Sequence, residues 1–153
     1  MGWTNSHLHQ FIKDRRFYTI RLQDDDTWDE LDNTDYTGMT VWDLLKKEKE
    51  KIVYEYDFGD GWEHGIILEK VLPNNKTLKI PICTGGKMNC PPEDCGGIRG
   101  YLELMEILKQ PEHPEYVSYI EWLGGEFDPF HFDKDAVNQL LAEPDFGCIE
   151  IYN

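Results

Sequence analysis

Apolar and charged residues alternate along the stretch 52–68, and this alternation predicts a β-hairpin. Residues 52–58 place an apolar side chain at every second position, which is the period of a strand with one solvated face. Residues 59–61, Gly-Asp-Gly, predict the turn, because glycine tolerates positive φ and Asp60 can accept hydrogen bonds from nearby amides. Residues 62–68 then provide the return strand. The turn gathers four chemically versatile side chains, Asp57, Asp60, Glu63 and His64.

Weaker patterns predict the remaining elements of the first half. Residues 17–20 favour an edge strand, preceded by the end of a helix within residues 2–11. Residues 78–82 alternate again and predict a third strand, so that residues 52–83 form an antiparallel meander. The stretch 24–35 contains seven acids and no base, a composition typical of a solvated loop.

One short helix is predicted before the hairpin, and the other predicted helices lie in the second half of the chain. A short helix is predicted to begin at Thr40, where Asp43 completes a variant of the capping box. Further helices are predicted over residues 98–108, over residues 115–122 and after the N-cap residue Asp133. The apolar positions predicted to form helical stripes, most of them buried, are Val41, Leu44, Leu45, Ile98, Tyr101, Leu102, Met105, Leu108, Ala136, Val137, Leu140 and Leu141.

Strands in the first half and helices in the second half predict an α+β fold, with an antiparallel sheet packed by C-terminal helices. A length of 153 residues, about 40% of them hydrophobic, fits a single domain over residues 1–153.

No apolar run approaches the roughly 18–20 residues of a membrane span. Residues 1–4 lack the opening of a signal peptide. We therefore predict a cytoplasmic protein with no membrane association.

The formal charge of −15, from 30 acidic and 15 basic residues, narrows the range of partners. A field of this sign repels phosphate backbones, and so few basic side chains release few counterions from DNA. Direct nucleic-acid binding is therefore disfavoured. A solvated surface, a basic protein partner or divalent cations each account for the acidity.

The loop 83–97 packs three cysteines, two prolines and four glycines into fifteen residues. Thiolates bind zinc, and Cys90 and Cys95 have a spacing near that of tetrahedral sites. Cys83 would be a third ligand, and the fourth would come from His64, His7, His9 or Cys148. Reduced thiols lining a tight loop are the structural alternative, and a redox-active or nucleophilic thiol is a third. A structural disulfide is not expected in the cytoplasm.

Carboxylates form a second candidate site. If the loop 83–97 folds over the hairpin turn, acids from both segments converge beside a histidine, which suits Mg²⁺ or Mn²⁺ binding or acid–base chemistry. The candidate catalytic residues are Asp57, Asp60, His64, Glu93 and Asp94. In the structural alternative, the acids cap the turn and the following helix, and the histidine is hydrogen-bonded within the sheet.

A histidine pair near the start of the chain is a weaker candidate. His7 and His9 are two residues apart. On a strand both imidazoles would lie on one face and could share a metal ion, whereas a helix would separate them. The sequence leaves both arrangements open.

Four motifs carry a family resemblance. They are GWTNSHLHQF at 2–11, YEYDFGDGWEH at 54–64, CPPEDCGG at 90–97 and FDPFHFD at 127–133. In this order they resemble the plasmid pRiA4b ORF-3-like family. The resemblance implies a small prokaryotic domain, often found near or within mobile genetic elements and sometimes joined to a metal-binding tail.

Members of that family usually begin with a strand and a helix ahead of the first motif. In this sequence Met1 stands directly before the motif, so we expect that opening unit to be missing. Trp3, Leu8 and Phe11 would then be partly uncovered or covered by a second copy in a homo-oligomer.

The preferred functional interpretation is a cytosolic binding or accessory module for a protein or small-molecule partner, associated with mobile genetic elements. One alternative is a metal-assisted hydrolase that uses the cluster of Asp, Glu and His residues. Another is a small domain in which zinc or another divalent metal only fixes the cysteine loop.

Overall fold

The computed structural model describes residues 2–22, 28, 32–73, 81–146 and 148. Its contacts divide the chain into two compact units. The strand unit is His7–Asn74, and the helix unit combines Met1–Ser6 with Asn75–Asn153. The strands lie in the first unit and three of the helices in the second, which confirms the α+β class.

The strand unit contains a five-stranded mixed sheet in the order β3-β2-β1-β4-β5. All neighbours are antiparallel except β2 and β3, which are parallel. The sheet is therefore mostly, but not purely, antiparallel, which corrects the prediction. The strands are β1 (His9–Lys13), β2 (Arg16–Thr19), β3 (Asn33–Asp35), β4 (Lys51–Tyr56) and β5 (Trp62–Ile67).

The predicted hairpin is confirmed as β4 and β5, with Tyr54 opposite His64 and Tyr56 opposite Trp62. The alternating pattern predicts this pair correctly because one face of the pair is more buried than the other. Of the third strand predicted over residues 78–82, residues 78–80 lie outside the described residues, and residues 81 and 82 form no strand.

Three predictions for the first half are wrong. The segment 2–11 leads into β1 and not out of a helix, and β1 then pairs with both β2 and β4. β2 is an inner strand, because β3 pairs with it on the other side. The acidic stretch was interpreted as a loop, yet its last three residues form β3. Backbone pairing with β2 is sufficient to make this strand, although its side chains are polar.

The aliphatic core of the strand unit surrounds Leu44, Leu45 and Ile52. The helix α1 (Val41–Leu44) begins with the predicted capping box, in which Asp43 Oδ2 accepts a hydrogen bond of 2.8 Å from the Thr40 amide. This helix has only four residues, so one face of it reaches the core. Val41 is exposed, contrary to the prediction.

The helix unit contains α2 (Gly97–Leu108), α3 (Tyr116–Leu123) and α4 (Lys134–Leu140). All three helices were predicted, and Asp133 is the N-cap of α4, accepting hydrogen bonds of 2.9 Å from two amides. No helix of the described residues is long and apolar enough to cross a bilayer.

The buried positions of these helices differ from the predicted stripe. α2 buries Tyr101, as predicted, but also Leu104 and Ile107, which were not predicted, whereas Ile98 and Leu102 are exposed. The predicted period was correct but its phase was not, because the helix is apolar on more than one face and periodicity alone does not select which face is buried. In α4, Leu140 is also exposed.

Candidate functional site

Asp57 organises the hairpin turn of the strand unit. Its backbone is left-handed, with φ of 55°, and the residue is 9% exposed. The amides of Gly59 and Asp60 donate to Asp57 Oδ1 over 3.0 and 3.3 Å, and the Gly61 amide donates to the Asp57 carbonyl over 2.6 Å. Asp57, and not Asp60 as predicted, accepts the hydrogen bonds from the amides of the turn. A buried carboxylate is thereby held in one orientation.

A histidine faces the second oxygen of this carboxylate. His7 Nδ1 lies 3.8 Å from Asp57 Oδ2. The His7 ring also meets Tyr56 edge to face, with centroids 5.9 Å apart. The Asp57 amide donates to the Leu8 carbonyl over 2.9 Å, and this bond holds the segment before β1 against the turn. The sequence suggested His7 as a metal ligand beside His9 or the cysteines, and the pairing with Asp57 was not predicted.

Aromatic and imidazole rings cover the same face of the sheet beside this pair. We call them the ring cluster, which consists of His9, Phe11, Tyr36, Tyr54 and His64. His9 and Tyr36 are stacked at 5.6 Å, and the Tyr36 hydroxyl lies 3.0 Å from His9 Nε2. Tyr54 links the other rings, at 5.1 Å from Phe11 and 5.9 Å from His64. All five residues are half-buried.

Both histidines of the ring cluster favour the neutral form. Burial lowers the pKa of His9, although a hydrogen bond with the His7 backbone opposes the shift. Burial also lowers the pKa of His64, against the hydrogen bond that its Nδ1 donates to the Tyr54 carbonyl over 3.4 Å. Neutral imidazoles keep a lone pair at physiological pH, so these rings can accept hydrogen bonds.

The cysteine loop belongs to the helix unit, and its central thiol is protected. Burial raises the pKa of Cys90 to about 11, with further contributions from the charges of Glu93 and Cys95. Gly2 packs so closely that a Cβ there would lie 2.6 Å from Cys90 Cβ. A thiol of this pKa is protonated at neutral pH, and a protonated thiol is a poor nucleophile.

Glu93 ties the loop to the start of the chain. Its Oε1 accepts hydrogen bonds from the Thr4 amide and hydroxyl over 3.0 and 3.2 Å. Trp3 Nε1 donates to the Pro91 carbonyl over 2.9 Å beside it. Glu93 does not cap the next helix, since the N-cap of α2 is Gly96 in a left-handed conformation. These contacts favour a structural role for Glu93.

Cys83 is fixed through its backbone. Asn138 of α4 accepts from the Cys83 amide over 2.9 Å and donates to its carbonyl over 3.0 Å. All four cysteines are free thiols. Among the described residues of the helix unit, no three His, Cys, Asp or Glu side chains bring ligand atoms within 4.8 Å of one another. The contacts support the structural interpretation of the loop, and zinc binding there stays a prediction.

The fold and these sites define an α+β protein with a mixed sheet, a buried Asp57 beside the half-buried His7, and the ring cluster. The chain belongs to the plasmid pRiA4b ORF-3-like family, whose sequence pattern matches residues 1–136. This match confirms the resemblance carried by the four motifs.

Two relatives are similar over most of the chain. "Uncharacterized protein y4hQ" of Sinorhizobium fredii (strain NBRC 101917 / NGR234) is 36% identical over 140 residues, which cover 90% of this chain and 67% of that protein. The crystal structure of a protein of unknown function from Methanosarcina mazei Go1 matches with a TM-score of 0.71 and 33% identity. This second match covers 88% of the present chain and 74% of that one.

Proposed function

We propose that this protein is a cytosolic binding or accessory module of mobile genetic elements, and that the ring cluster is its ligand-binding surface. The observation that carries the proposal is the set of mutually contacting, half-buried rings on one sheet face, His9, Phe11, Tyr36, Tyr54 and His64. Rings held on or beside the strands of a sheet offer a large, rigid contact area at little entropic cost.

The chemistry of the ring cluster limits the classes of ligand that can bind there. The histidines are neutral acceptors, and the net charge of −15 disfavours phosphate-rich partners. The faces of tyrosine rings attract cations as well as apolar groups. The partner is therefore a protein segment or small molecule that presents an apolar or cationic group with a hydrogen-bond donor.

A screen of aromatic amines and basic peptides by ligand-observed NMR tests this proposal. We expect the hits to bind at least about 10-fold more weakly to Tyr36→Ala, because a buried aromatic contact is worth more than about 1.4 kcal/mol. The Tyr36→Phe variant keeps the ring and should lose only the hydroxyl contact. His131→Ala, at an exposed histidine of the helix unit, is the matched control. Equal affinity for wild type and Tyr36→Ala would exclude the ring cluster.

A metal-assisted hydrolase is the second candidate, with Asp57, Asp60, His64, Glu93 and Asp94 as its residues. The buried, amide-held carboxylate of Asp57 favours it, since such groups are common at catalytic sites. The structural bonds of Glu93 count against it. Hydrolysis of chromogenic esters and phosphoesters with added Mn²⁺ should fall at least about 100-fold in Asp57→Asn. Activity that survives this substitution rules the candidate out.

A further inference from the structure

We infer that His7 and Asp57 bind a divalent transition-metal ion, with Nδ1 and Oδ2 as its protein ligands. The two atoms are 3.8 Å apart. This separation is longer than a direct hydrogen bond. It does agree with two ligands of one cation, because metal–ligand distances of about 2.0–2.2 Å place neighbouring ligand atoms about 3–4 Å from each other.

Asp57 is prepared for such a role by its surroundings. Two amides anchor Oδ1, so the carboxylate cannot rotate without losing both hydrogen bonds. Oδ2 is therefore directed at His7 before any ion arrives. Hydrogen bonds of this kind orient a ligand and lower the entropic cost of coordination. The left-handed backbone of Asp57 is also suited to Asp or Asn, whose short side chains bond locally.

His7 is held from a second direction. Its ring meets the Tyr56 ring edge to face, and Tyr56 is among the most buried side chains of the described residues. The hydrogen bond from Asp57 to the Leu8 carbonyl fixes the backbone next to it. Asp57 thus directly follows β4, and the ring of His7 packs against Tyr56 of the same strand. These contacts support both ligands on a rigid element.

The donor set selects the class of ion. Ca²⁺ and Mg²⁺ prefer oxygen ligands alone, whereas imidazole with carboxylate suits Zn²⁺, Mn²⁺, Fe²⁺ or Ni²⁺. A cation also offsets the cost of burying the Asp57 carboxylate. Two protein ligands leave coordination positions for water and other oxygen donors. The site contains no thiolate, and it does not depend on the ring cluster or on any catalytic activity.

Calorimetric titration of the metal-stripped protein with Zn²⁺ and Mn²⁺ tests the inference. We expect one equivalent to bind, and Asp57→Asn to weaken the affinity at least about 10-fold, since even residues that only support ligands contribute 10–100-fold. Asn keeps the oxygen that accepts the two amides and tolerates the left-handed backbone. The turn should therefore fold, which circular dichroism can verify.

Two further variants separate this site from other sources of binding. His7→Phe keeps a ring against Tyr56 but removes the nitrogen, so it should weaken binding as Asp57→Asn does. His131→Ala should leave the affinity unchanged. Co²⁺ bound to the wild type should show no thiolate charge-transfer band. Failure of the wild type to bind, unchanged affinity in both ligand variants, or a thiolate band would overturn the inference.

Discussion

Replacing Gly100 with alanine is expected to destabilise the helix unit by about 3 kcal/mol or more. A Cβ at this position of α2 would collide with the Cys95 carbonyl oxygen and lie 2.9 Å from its carbonyl carbon. The obstacle is backbone, and it cannot rotate away as a side chain would. The left-handed Gly96 and the hydrogen bond of 3.0 Å from the Gly100 amide to the Gly96 carbonyl fix the position of the Cys95 carbonyl relative to Gly100.

Urea unfolding followed by the helical circular dichroism signal measures this effect. Gly85→Ala is the matched control in the same unit, because a Cβ there meets no atom within 4 Å and its φ is not left-handed. We expect this control to change the free energy of unfolding by less than about 1 kcal/mol. Similar unfolding midpoints for the two variants would show that the Cys95 carbonyl does not lie against Gly100.

Replacing Ile52 with alanine should cost about 2–5 kcal/mol of the free energy of unfolding. Ile52 is 2% exposed and packs with Leu44 and Leu45 at the centre of the aliphatic core. Truncation removes buried methyl groups and leaves a cavity that α1 is too short to close. Ile52→Val should cost only about 0.5–1.5 kcal/mol by the same reasoning.

Ile67 on the neighbouring strand provides the control for this prediction. It is 47% exposed and lies opposite Lys51 in the register of β4 and β5. Ile67→Ala loses mainly strand propensity, so we expect a loss of at most about 1 kcal/mol. Chemical denaturation monitored by tryptophan fluorescence can compare the three variants. Equal losses for Ile52→Ala and Ile67→Ala would contradict a core centred on Ile52.

Local signals in the sequence predicted most of the elements correctly. The β4–β5 hairpin, the capping box at Thr40 and the N-cap Asp133 each depend on residues within a few positions of one another. β3 was missed because its strand character comes from pairing with β2, about sixteen residues earlier in the chain. The burial phase of α2 was missed for a related reason, since the neighbours of a helix decide which apolar face is buried.

The candidate site was less predictable than the fold. The sequence placed chemically versatile residues at the hairpin turn, and Asp57 is indeed buried there. Its partner His7 could not be found from spacing, because the two residues meet only through the antiparallel register that sets His9 opposite Tyr56. A prediction of β1 in place of a helix over residues 2–11 would have been the signal needed.

The order of strands in the sheet also separates early from late steps of folding. β1 with β2, and β4 with β5, are hairpins that close short loops. The pairing of β1 with β4 joins residues about 45 positions apart, as between Gln10 and Glu55, and its closure entropy is correspondingly larger. That pairing also brings Leu8 and His7 to Asp57. Opening the pairing between β1 and β4 therefore separates His7 from Asp57, even though neither residue belongs to these two strands.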